Sequence, residues 1–565
     1  MTNKKQKLEL TWIGKDEELK LEPRILIEDP NKSYGDKSAE NMLIHGDNLL
    51  ALKALEQDFA GRIKCIYIDP PFNTGAAFEH YDDSVEHSIW LQLMQYRLEL
   101  LRKLLREDGC IFVQLDDSEA SYCKVLMDEI FGRSNYLNQL TISTNSPFGF
   151  KATSSSLFKQ ANQLLLFAKD KQKFSFNKEK LFIEKEYDIA YKWFFENTDK
   201  PEGLWTWRNI SEVVSEKLGF ESSKEAKKNI SKQELEAEVA IFALNNADRV
   251  FRTASVTGGA YLKRKETINL SKTRKDKITR HPDDDMDYMF IGGERVIYYS
   301  ERLVHLEGQN VPGELITDIW TDISIEGLAS EGGVAFPKGK KPEKIIQRCF
   351  DISAKDGDYV LDSFLGSGTT AAVALKMGFK WVGIEIGDHA DTHCLPRLKG
   401  VVNGTDQSGI SKSLDWKGGG GFKFYNLAPS LLRKDSFGNF VIDENYNANM
   451  LAAAMCKHEG FKFYPDETLY WKHGRSTEAD FIFVTTGFIT AEQLDKVHSE
   501  MKAGESLLIC AKSFAPECEN RFANITVKKI PQMILGKCEF AKDNYDLNII
   551  KATEAEAEES NEAKE

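Results

Sequence analysis

The stretch that decides the fold is IKCIYIDPPF, residues 63–72. Its first six residues form a short apolar, β-branched run that is typical of a buried parallel strand. Asp69 follows at the carboxyl end of that strand, where open α/β sheets place their ligand chemistry. Pro70 has no N–H and a fixed φ, and Pro71 restricts Pro70 in turn. We therefore expect a stiff loop at the edge of a parallel sheet, with its carbonyls held in set directions.

The DPPF string has the groups that would activate an exocyclic amine. Such an amine on adenine or cytosine is a poor nucleophile, because its lone pair is conjugated into the ring. The carboxylate of Asp69 and the carbonyl of Pro70 can each accept one N–H bond, and Phe72 can stack on a base that has left the helix. Positioning and electrostatics then do most of the work, and no strong base is needed. Taken alone, the tetrapeptide is equally compatible with a Pro-Pro turn that ends a strand.

A second informative stretch is DYVLDSFLGSGTT, residues 358–370. It predicts a strand, a glycine loop and the start of a helix. Gly366 and Gly368 permit close approach of a ligand to the backbone, and Thr369 opens a helix that ends at Gly378. The next strand follows directly, so the pattern is that of a ligand-binding βαβ unit.

Two interpretations compete for this glycine loop. Residues 366–371 fit the loose dinucleotide pattern G-x-G-x-x-G/A, which indicates an NAD enzyme. Asp362 and Phe364, however, precede the glycines where a methyl-donor pocket needs an acid and an aromatic ring. The strand at residues 380–384 ends at Glu385, and an acid there suits a ribose diol. Since the DPPF string has no role in hydride transfer, the two strings together favour the methyl donor.

Residues 41–48, NMLIHGDN, predict a further strand and a polar turn beside the Asp69 strand. Asp47, at the carboxyl end of this strand, could reach the adenine ring of the donor. Asp47 or Asn48 would also make a good N-cap for a helix that begins with residues 49–52. The two roles are compatible, and the cap is the more firmly based of them.

These strings resemble the β-class of DNA amino-methyltransferases, in which the catalytic motif precedes the methyl-donor motif. More narrowly, the chain is similar to the modification subunit of Type III restriction-modification systems. The residues that carry the resemblance are LTWIGK (10–15), HGDN (45–48), IDPPFNTG (68–75), LDD (115–117), IW (319–320), KP (341–342), FLGSGTT (364–370) and GGGGF (418–422). The resemblance runs from about residue 8 to 430 and is patchy within 170–300.

The resemblance implies a Rossmann-like α/β methyltransferase sheet with circularly permuted motif order. It implies S-adenosyl-L-methionine as the donor and adenine N6 of a flipped-out base in double-stranded DNA as the acceptor. Phenylalanine rather than tyrosine at position 72 favours adenine over cytosine N4, and a stand-alone enzyme or a non-DNA amine is the further alternative. The implied catalytic residues are Asp69, Pro70, Pro71 and Phe72, and the implied donor-binding residues are Asp47, Asp362, Phe364, Gly366, Gly368, Thr369 and Glu385.

The 565 residues should hold roughly two to four domains. We expect the catalytic half of the methyltransferase domain, a target-recognition insertion, the donor-binding half, a C-terminal α/β domain for subunit contacts and an acidic disordered tail. Their respective bounds are 1–140, 141–310, 311–425, 426–550 and 551–565. Within the insertion, Trp205 and Trp207 could be base wedges, but core packing is the favoured interpretation.

The formal net charge of −14 gives the chain no overall affinity for phosphate, so any DNA contact must be local. Residues 261–280, YLKRKETINLSKTRKDKITR, carry eight basic residues against two acidic ones. We expect phosphate contacts from Lys263, Arg264, Lys265, Lys272, Arg274, Lys275, Lys277 and Arg280. The usual alternative for a charge run is a solvated face.

The nine cysteines are scattered without a CxxC pair, so we expect neither a metal site nor a disulfide framework. Nothing near the start resembles a signal peptide, and no run approaches 18 apolar residues, which favours a cytoplasmic protein without a membrane partner. The sequence has no Walker A string. We therefore expect any DNA cleavage to come from a separate helicase and nuclease subunit, and we expect this chain to form a homodimer.

Overall fold

The computed structural model describes residues 9–12, 14–71, 87–144, 157, 159–282, 288–306, 308–325, 327–336, 339–543 and 545. The chain divides into two compact units. The first contains residues 1–176 and 318–565, and the second contains residues 177–317. The second unit is therefore an insertion within the chain of the first.

An eleven-stranded sheet forms the centre of the first unit. Its parallel strands, in spatial order, are Gly421–Leu427, Met42–His45, Lys380–Glu385, Tyr359–Asp362, Ile63–Ile68 and Leu105–Leu115. Beyond Leu105–Leu115 come Ala161–Ala168, Tyr136–Ser143 and Ile319–Trp320, while Leu26–Glu28 and Tyr34–Gly35 pair with Gly421–Leu427. The expected Rossmann-like sheet with permuted motif order is confirmed, because Ile63–Ile68 comes first in the chain yet pairs directly with Tyr359–Asp362.

Helices cover this sheet and bury its apolar residues. They are Asn48–Phe59, His87–Leu104, Ala120–Met127, Glu343–Ser353, Thr369–Lys376 and Leu395–Val402, with π-helical turns at Asp128–Gly132 and Ala390–Cys394. All six residues of Ile63–Ile68 are buried, as the apolar run predicts. Leu50, Leu98 and Ile66 belong to one core cluster, which fixes the helices against the sheet.

The helix His87–Leu104 is followed directly by the strand Leu105–Leu115. Gly109 lies inside this strand. A Cβ at this position would meet the carbonyl oxygen of Ile63 at 3.0 Å. The glycine therefore permits close approach of two neighbouring strands, which the sequence pattern alone does not distinguish from a helix stop.

The second unit contains a six-stranded antiparallel sheet and a three-stranded sheet. The larger sheet has the order Thr206–Asn209, Trp193–Glu196, Val250–Ala254, Glu294–Tyr298, Met289–Ile291 and Thr279–Arg280, and the smaller has Leu303–Leu306, Gln309–Leu315 and Phe182–Glu184. The helices are Ile210–Lys217, Ser223–Asn229, Lys232–Asn245 and Gly258–Thr273. The rings of Trp205 and Trp207 lie 5.3 and 6.3 Å from that of Phe195, so both pack in the core as favoured above.

The second unit begins at Asn177, later than the insertion boundary expected at residue 141. The reason is that Tyr136–Ser143 and Ala161–Ala168 pair with each other and extend the main sheet. Sequence composition changes near residue 140, but the sheet continues past that point.

The C-terminal residues form a five-stranded sheet within the first unit. Its strands are Lys462–Phe463, Gly474–Arg475, Asp480–Ile489, Ser506–Phe514 and Ile525–Lys529, with helices Ala448–His458 and Ala491–Glu500 and a hairpin of Leu432–Lys434 and Phe440–Ile442. Gln57 donates from Nε2 to the carbonyl oxygen of Phe461 at 3.0 Å. This α/β segment therefore contacts the main sheet's helices directly. Within the described ranges, no helix is long and apolar enough to cross a bilayer.

Candidate active site

Two carboxylates lie at the same edge of the main sheet. Ile66 is opposite Leu361 in neighbouring parallel strands, so the strand ends place Asp69 and Asp362 side by side. Asp362 is only 3% exposed. Burial raises the pKa of Asp362 to about 7, and the negative charge of Asp69 adds to the rise. The pair thus has the buried, perturbed carboxyl groups that are typical of functional sites.

The carboxylate of Asp69 has two unequal oxygens. Its Oδ2 accepts a hydrogen bond from Nζ of Lys341. Its Oδ1 is buried and receives no hydrogen bond from any described group. Burial raises the pKa of Asp69, while the charge of Lys341 and its hydrogen bond oppose the rise. One oxygen is therefore paired with Lys341, and the other is an acceptor without a partner among the described groups.

The loop after Asp69 is held in place by buried side chains. Trp90, 1% exposed, donates from Nε1 to the carbonyl oxygen of Pro71 at 2.6 Å. Tyr67, in the strand that precedes Asp69, donates its hydroxyl to Oε1 of Gln114 at 2.6 Å. These contacts give the Pro-Pro loop a fixed direction. Phe72, expected to stack on a base, lies outside the described residues.

The glycine loop wraps around Asp362. Its Oδ1 accepts from the backbone N–H of Phe364 at 2.8 Å, and its Oδ2 accepts from the hydroxyl of Thr370 at 2.5 Å. Gly366 and Gly368 have φ of +55° and +80°, which side chains rarely adopt. Asp362 therefore shapes the loop with both oxygens, and the two glycines supply the backbone conformation.

Glu385 closes the loop from the next strand. Its Oε2 accepts from the backbone N–H of Gly366 at 2.6 Å, and its Oε1 accepts from that of Gly387 at 3.2 Å. Glu385 is 3% exposed, and Phe364 packs against the main core. A carboxylate at a strand end beside a glycine loop can accept hydrogen bonds from ribose hydroxyls, and this arrangement fits S-adenosyl-L-methionine.

Asp47 is confirmed as a helix cap. Its Oδ1 accepts from the backbone N–H of Leu50 at 2.9 Å. Its Oδ2 accepts from the backbone N–H of Tyr545 at 3.3 Å and lies 3.6 Å from a guanidinium nitrogen of Arg97. The next residue, Asn48, donates from Nδ2 to the carbonyl oxygen of Ser363 at 2.7 Å. This turn is thus joined to the glycine loop through Asn48.

A buried ionic network lies behind the glycine loop. Arg397 donates to the hydroxyl of Thr369 at 2.8 Å and to Oε1 of Glu343 at 2.9 Å. Lys376 donates to Glu343 Oε2 and to Oδ2 of Asp406, both at 2.8 Å. Sequence reasoning missed these residues, because nothing in their spacing indicates that they meet. Thr369 was expected to bind the donor, and its hydroxyl is occupied by Arg397.

The basic stretch of the second unit divides into two groups. Lys263, Lys265, Lys272, Arg274, Lys275 and Lys277 are exposed. Arg264 is buried, and its guanidinium lies 3.7 Å from the ring centroid of Tyr288. Arg280 donates from Nε to both carboxylate oxygens of Glu202, at 2.9 and 2.8 Å. Arg264 is therefore part of the packing of this unit, whereas Arg280 is an exposed residue in an ion pair with Glu202, and a count of basic residues could not reveal this difference.

Comparison with known proteins identifies relatives of the chain. A family model described as DNA methylase, N6_N4_Mtase, matches residues 63–238 and 251–392. The chain is 34% identical over 414 residues to "Probable type III restriction-modification enzyme HindVI Mod subunit" from Haemophilus influenzae, covering 69% of this chain and 54% of the relative. It is 28% identical to the Type III restriction-modification enzyme EcoPI Mod subunit of Escherichia phage P1, covering 66% and 62%.

The chain thus spans 54% and 62% of the lengths of these two relatives. Among solved structures, the PvuII DNA methyltransferase, described as cytosine-N4-specific, is 12% identical with a TM-score of 0.29. That match covers 63% of this chain and 86% of the other.

Proposed function

Because the chain belongs to the N6_N4_Mtase family of DNA methylases, we propose that it methylates adenine N6 in double-stranded DNA. We propose S-adenosyl-L-methionine as the methyl donor. The observation that carries this proposal is the partly buried Asp69, whose Oδ1 has no partner among the described groups and lies at the sheet edge that Asp69 shares with the glycine loop. Similarity to proteins named as Mod subunits supports a role as the modification subunit of a Type III system.

Asp69 and Pro70, at the edge of the sheet, would each bind the target amine. Asp69 Oδ1 accepts one N–H bond of the target amine, and the carbonyl of Pro70 accepts the other. These bonds favour a pyramidal nitrogen whose lone pair can attack. Bound S-adenosyl-L-methionine would supply an electrophilic methyl group, whose bond to sulfur breaks as the N–C bond forms, so that a neutral thioether is the leaving group. The methylated nitrogen then loses one proton to solvent, so Asp69 acts by positioning and electrostatics.

The donor pocket is assigned to the glycine loop and its neighbours. Gly366 and Gly368 leave room for close approach, and Glu385 lies at the end of the neighbouring strand, where a carboxylate suits the ribose hydroxyls. Asp362 holds the glycine loop in place, because both of its carboxylate oxygens accept hydrogen bonds from Phe364 and Thr370. Asp47 keeps its proposed contact with the adenine ring in addition to its role as a helix cap.

The second unit is proposed to recognise the DNA target. Its exposed lysines and arginines, among them Lys265 and Lys275, supply the local positive charge that the acidic chain otherwise lacks. We further propose that the chain works as a homodimer in the cytoplasm and pairs with a separate restriction subunit. The names of its relatives support the pairing with a separate restriction subunit.

The test is methyl transfer from radiolabelled S-adenosyl-L-methionine to mixed-sequence duplex DNA, with product nucleosides separated by mass. We expect N6-methyladenine from the native chain and none from Asp69→Ala, with DNA affinity retained. Asp58→Ala, at an exposed position on the helix Asn48–Phe59, is the control and should methylate normally. N4-methylcytosine would overturn the choice of base, and absence of any methylated nucleoside would overturn the proposal.

A further inference from the structure

Lys341 contacts the proposed catalytic carboxylate from a distant part of the chain. Its Nζ donates to Asp69 Oδ2 and lies 3.4 Å from the carbonyl oxygen of Gly339. The side chains of Lys341 and Asp69 are 13% and 18% exposed. The contact is therefore largely removed from solvent, where an ion pair is screened much less than at a surface.

The backbone on both sides of Lys341 is fixed. Lys340 donates from Nζ to the carbonyl oxygens of Ala329, Glu331 and Val334, at 3.0, 2.7 and 2.5 Å. Two residues after Lys341, Glu343 is fully buried in the ionic network behind the glycine loop. Lys341 lies between these two anchors. The fold therefore specifies the position of its ammonium group.

The other titratable groups beside Asp69 supply no positive charge. Asp362 lies at the end of the neighbouring strand and carries the same charge as Asp69 when ionised. Tyr67 lies in the strand that ends just before Asp69, and burial raises the pKa of its hydroxyl, so it remains neutral. Among the described groups, Lys341 is the one whose charge and hydrogen bond lower the pKa of Asp69.

We propose that Lys341 is a positioning residue for methyl transfer. It keeps Asp69 ionised and occupies Oδ2, so that Oδ1 is the oxygen that accepts a hydrogen bond from the target amine. A protonated Asp69 would donate a hydrogen bond where an acceptor is required. This inference rests on the proposed methyltransferase function, and it adds a residue that touches neither substrate nor donor.

The activity test compares the pH dependence of single-turnover methylation in Lys341→Met, Lys341→Arg and the native chain. Without Lys341 the pKa of Asp69 rises, so the loss of activity at low pH should begin at a pH about one unit higher or more. On the acid limb of the profile we expect Lys341→Met to be about tenfold slower than the native chain or more, and its rate should recover as the pH increases. Lys341→Arg should keep the native profile, and KM values for donor and DNA should change little.

Lys344→Met is the matched control, since Lys344 is an exposed lysine three residues further along. It should leave both the rate and the pH profile unchanged. Equal slowing of Lys341→Met at every pH, or an unshifted acid limb, would overturn the inference. Lys341→Gln provides the same comparison if the methionine variant does not fold.

A second readout does not depend on methylation. Thermal unfolding of Lys341→Met, Asp69→Asn and the double variant forms a double-mutant cycle. Lys341→Met leaves Asp69 buried without its partner, so its Tm should fall most at high pH and approach the native value as Asp69 takes up a proton. In the Asp69→Asn background the same change should have little effect. Additive effects at all pH values would overturn the inference even if DNA is methylated, and non-additivity without methylation would overturn only the proposed function.

Discussion

Replacement of Gly368 by alanine tests whether the glycine loop requires its observed backbone. Gly368 has φ of +80°, and a Cβ there would lie 3.2 Å from the Cα of Cys394. The left-handed conformation costs a residue with a side chain about 1–2 kcal/mol. The short contact adds to that cost, because the neighbouring atom belongs to the backbone of a π-helical turn and cannot rotate away. We expect Gly368→Ala to lose about 2–4 kcal/mol of unfolding free energy.

Gly378→Ala is the matched control at the other end of the same helix. Its φ is +75°, but no described atom lies within 4 Å of the position its Cβ would take. Gly378→Ala should lower the free energy of unfolding by only the conformational cost, about 1–2 kcal/mol. The difference between the two variants isolates the crowding against Cys394.

The two variants should also differ in donor binding. Because Gly368→Ala must displace the loop that contains Gly366, we expect its affinity for S-adenosyl-L-methionine to fall about tenfold or more, which corresponds to about 1.4 kcal/mol. Gly378→Ala should bind the donor as the native chain does. Urea unfolding and isothermal titration calorimetry measure both quantities. Equal stabilities together with equal donor affinities would refute the assignment of the loop.

The remaining predictions concern the acid, the ionic network and the second unit. Burial raises the pKa of Asp362 from 3.8 to about 7. Between pH 3.8 and about 7 the folded chain therefore holds a proton that the unfolded chain has lost. The free energy of unfolding should fall as the pH rises through this range. Asp362→Asn should flatten that slope by up to about 1 kcal/mol per pH unit in urea unfolding without ligand. Lys376→Met removes the lysine partner of the buried Asp406 and leaves Glu343 with Arg397, so it should cost about 3–5 kcal/mol. The exposed Lys417→Met should cost less than about 1 kcal/mol. Lys265→Ala should lower the salt dependence of DNA binding by about one charge, measured by fluorescence anisotropy, and Arg264→Ala should instead lower the Tm.

The sequence predicts the places of the candidate site residues in the fold, because each place depends on local pattern, and their roles stay predictions. An apolar run followed by a polar turn indicates a strand and its carboxyl end, and Asp69, Asp362 and Glu385 all lie there. The cap at Asp47 was predictable for the same reason, since an N-cap depends on a few neighbouring residues. A residue's position in the fold can therefore be predicted from a single sequence when the end of a strand determines it.

Contacts between distant parts of the chain could not be predicted in this way. Lys341 reaches Asp69 across 272 residues, and the Arg397–Glu343 pair spans 54. In the sequence, Lys341 stands out only as part of the KP string at residues 341–342. Arg264 and Arg280 look like their basic neighbours in sequence, and only the packing around Tyr288 and Glu202 distinguishes them.

The DPPF string and the glycine loop can lie close together despite their permuted order. Their distance in space depends on the pairing of parallel strands and not on their separation in the sequence. Asn48 demonstrates the physical link. It follows the cap at Asp47 and donates to the carbonyl oxygen of Ser363, more than 300 residues later, while its own Oδ1 accepts from Nε of Arg97. All of these groups are buried, so breaking one contact leaves an unsatisfied polar atom that costs about 1–3 kcal/mol. The two halves therefore form one sheet although residues 177–317, which make up the second unit, separate them in the chain.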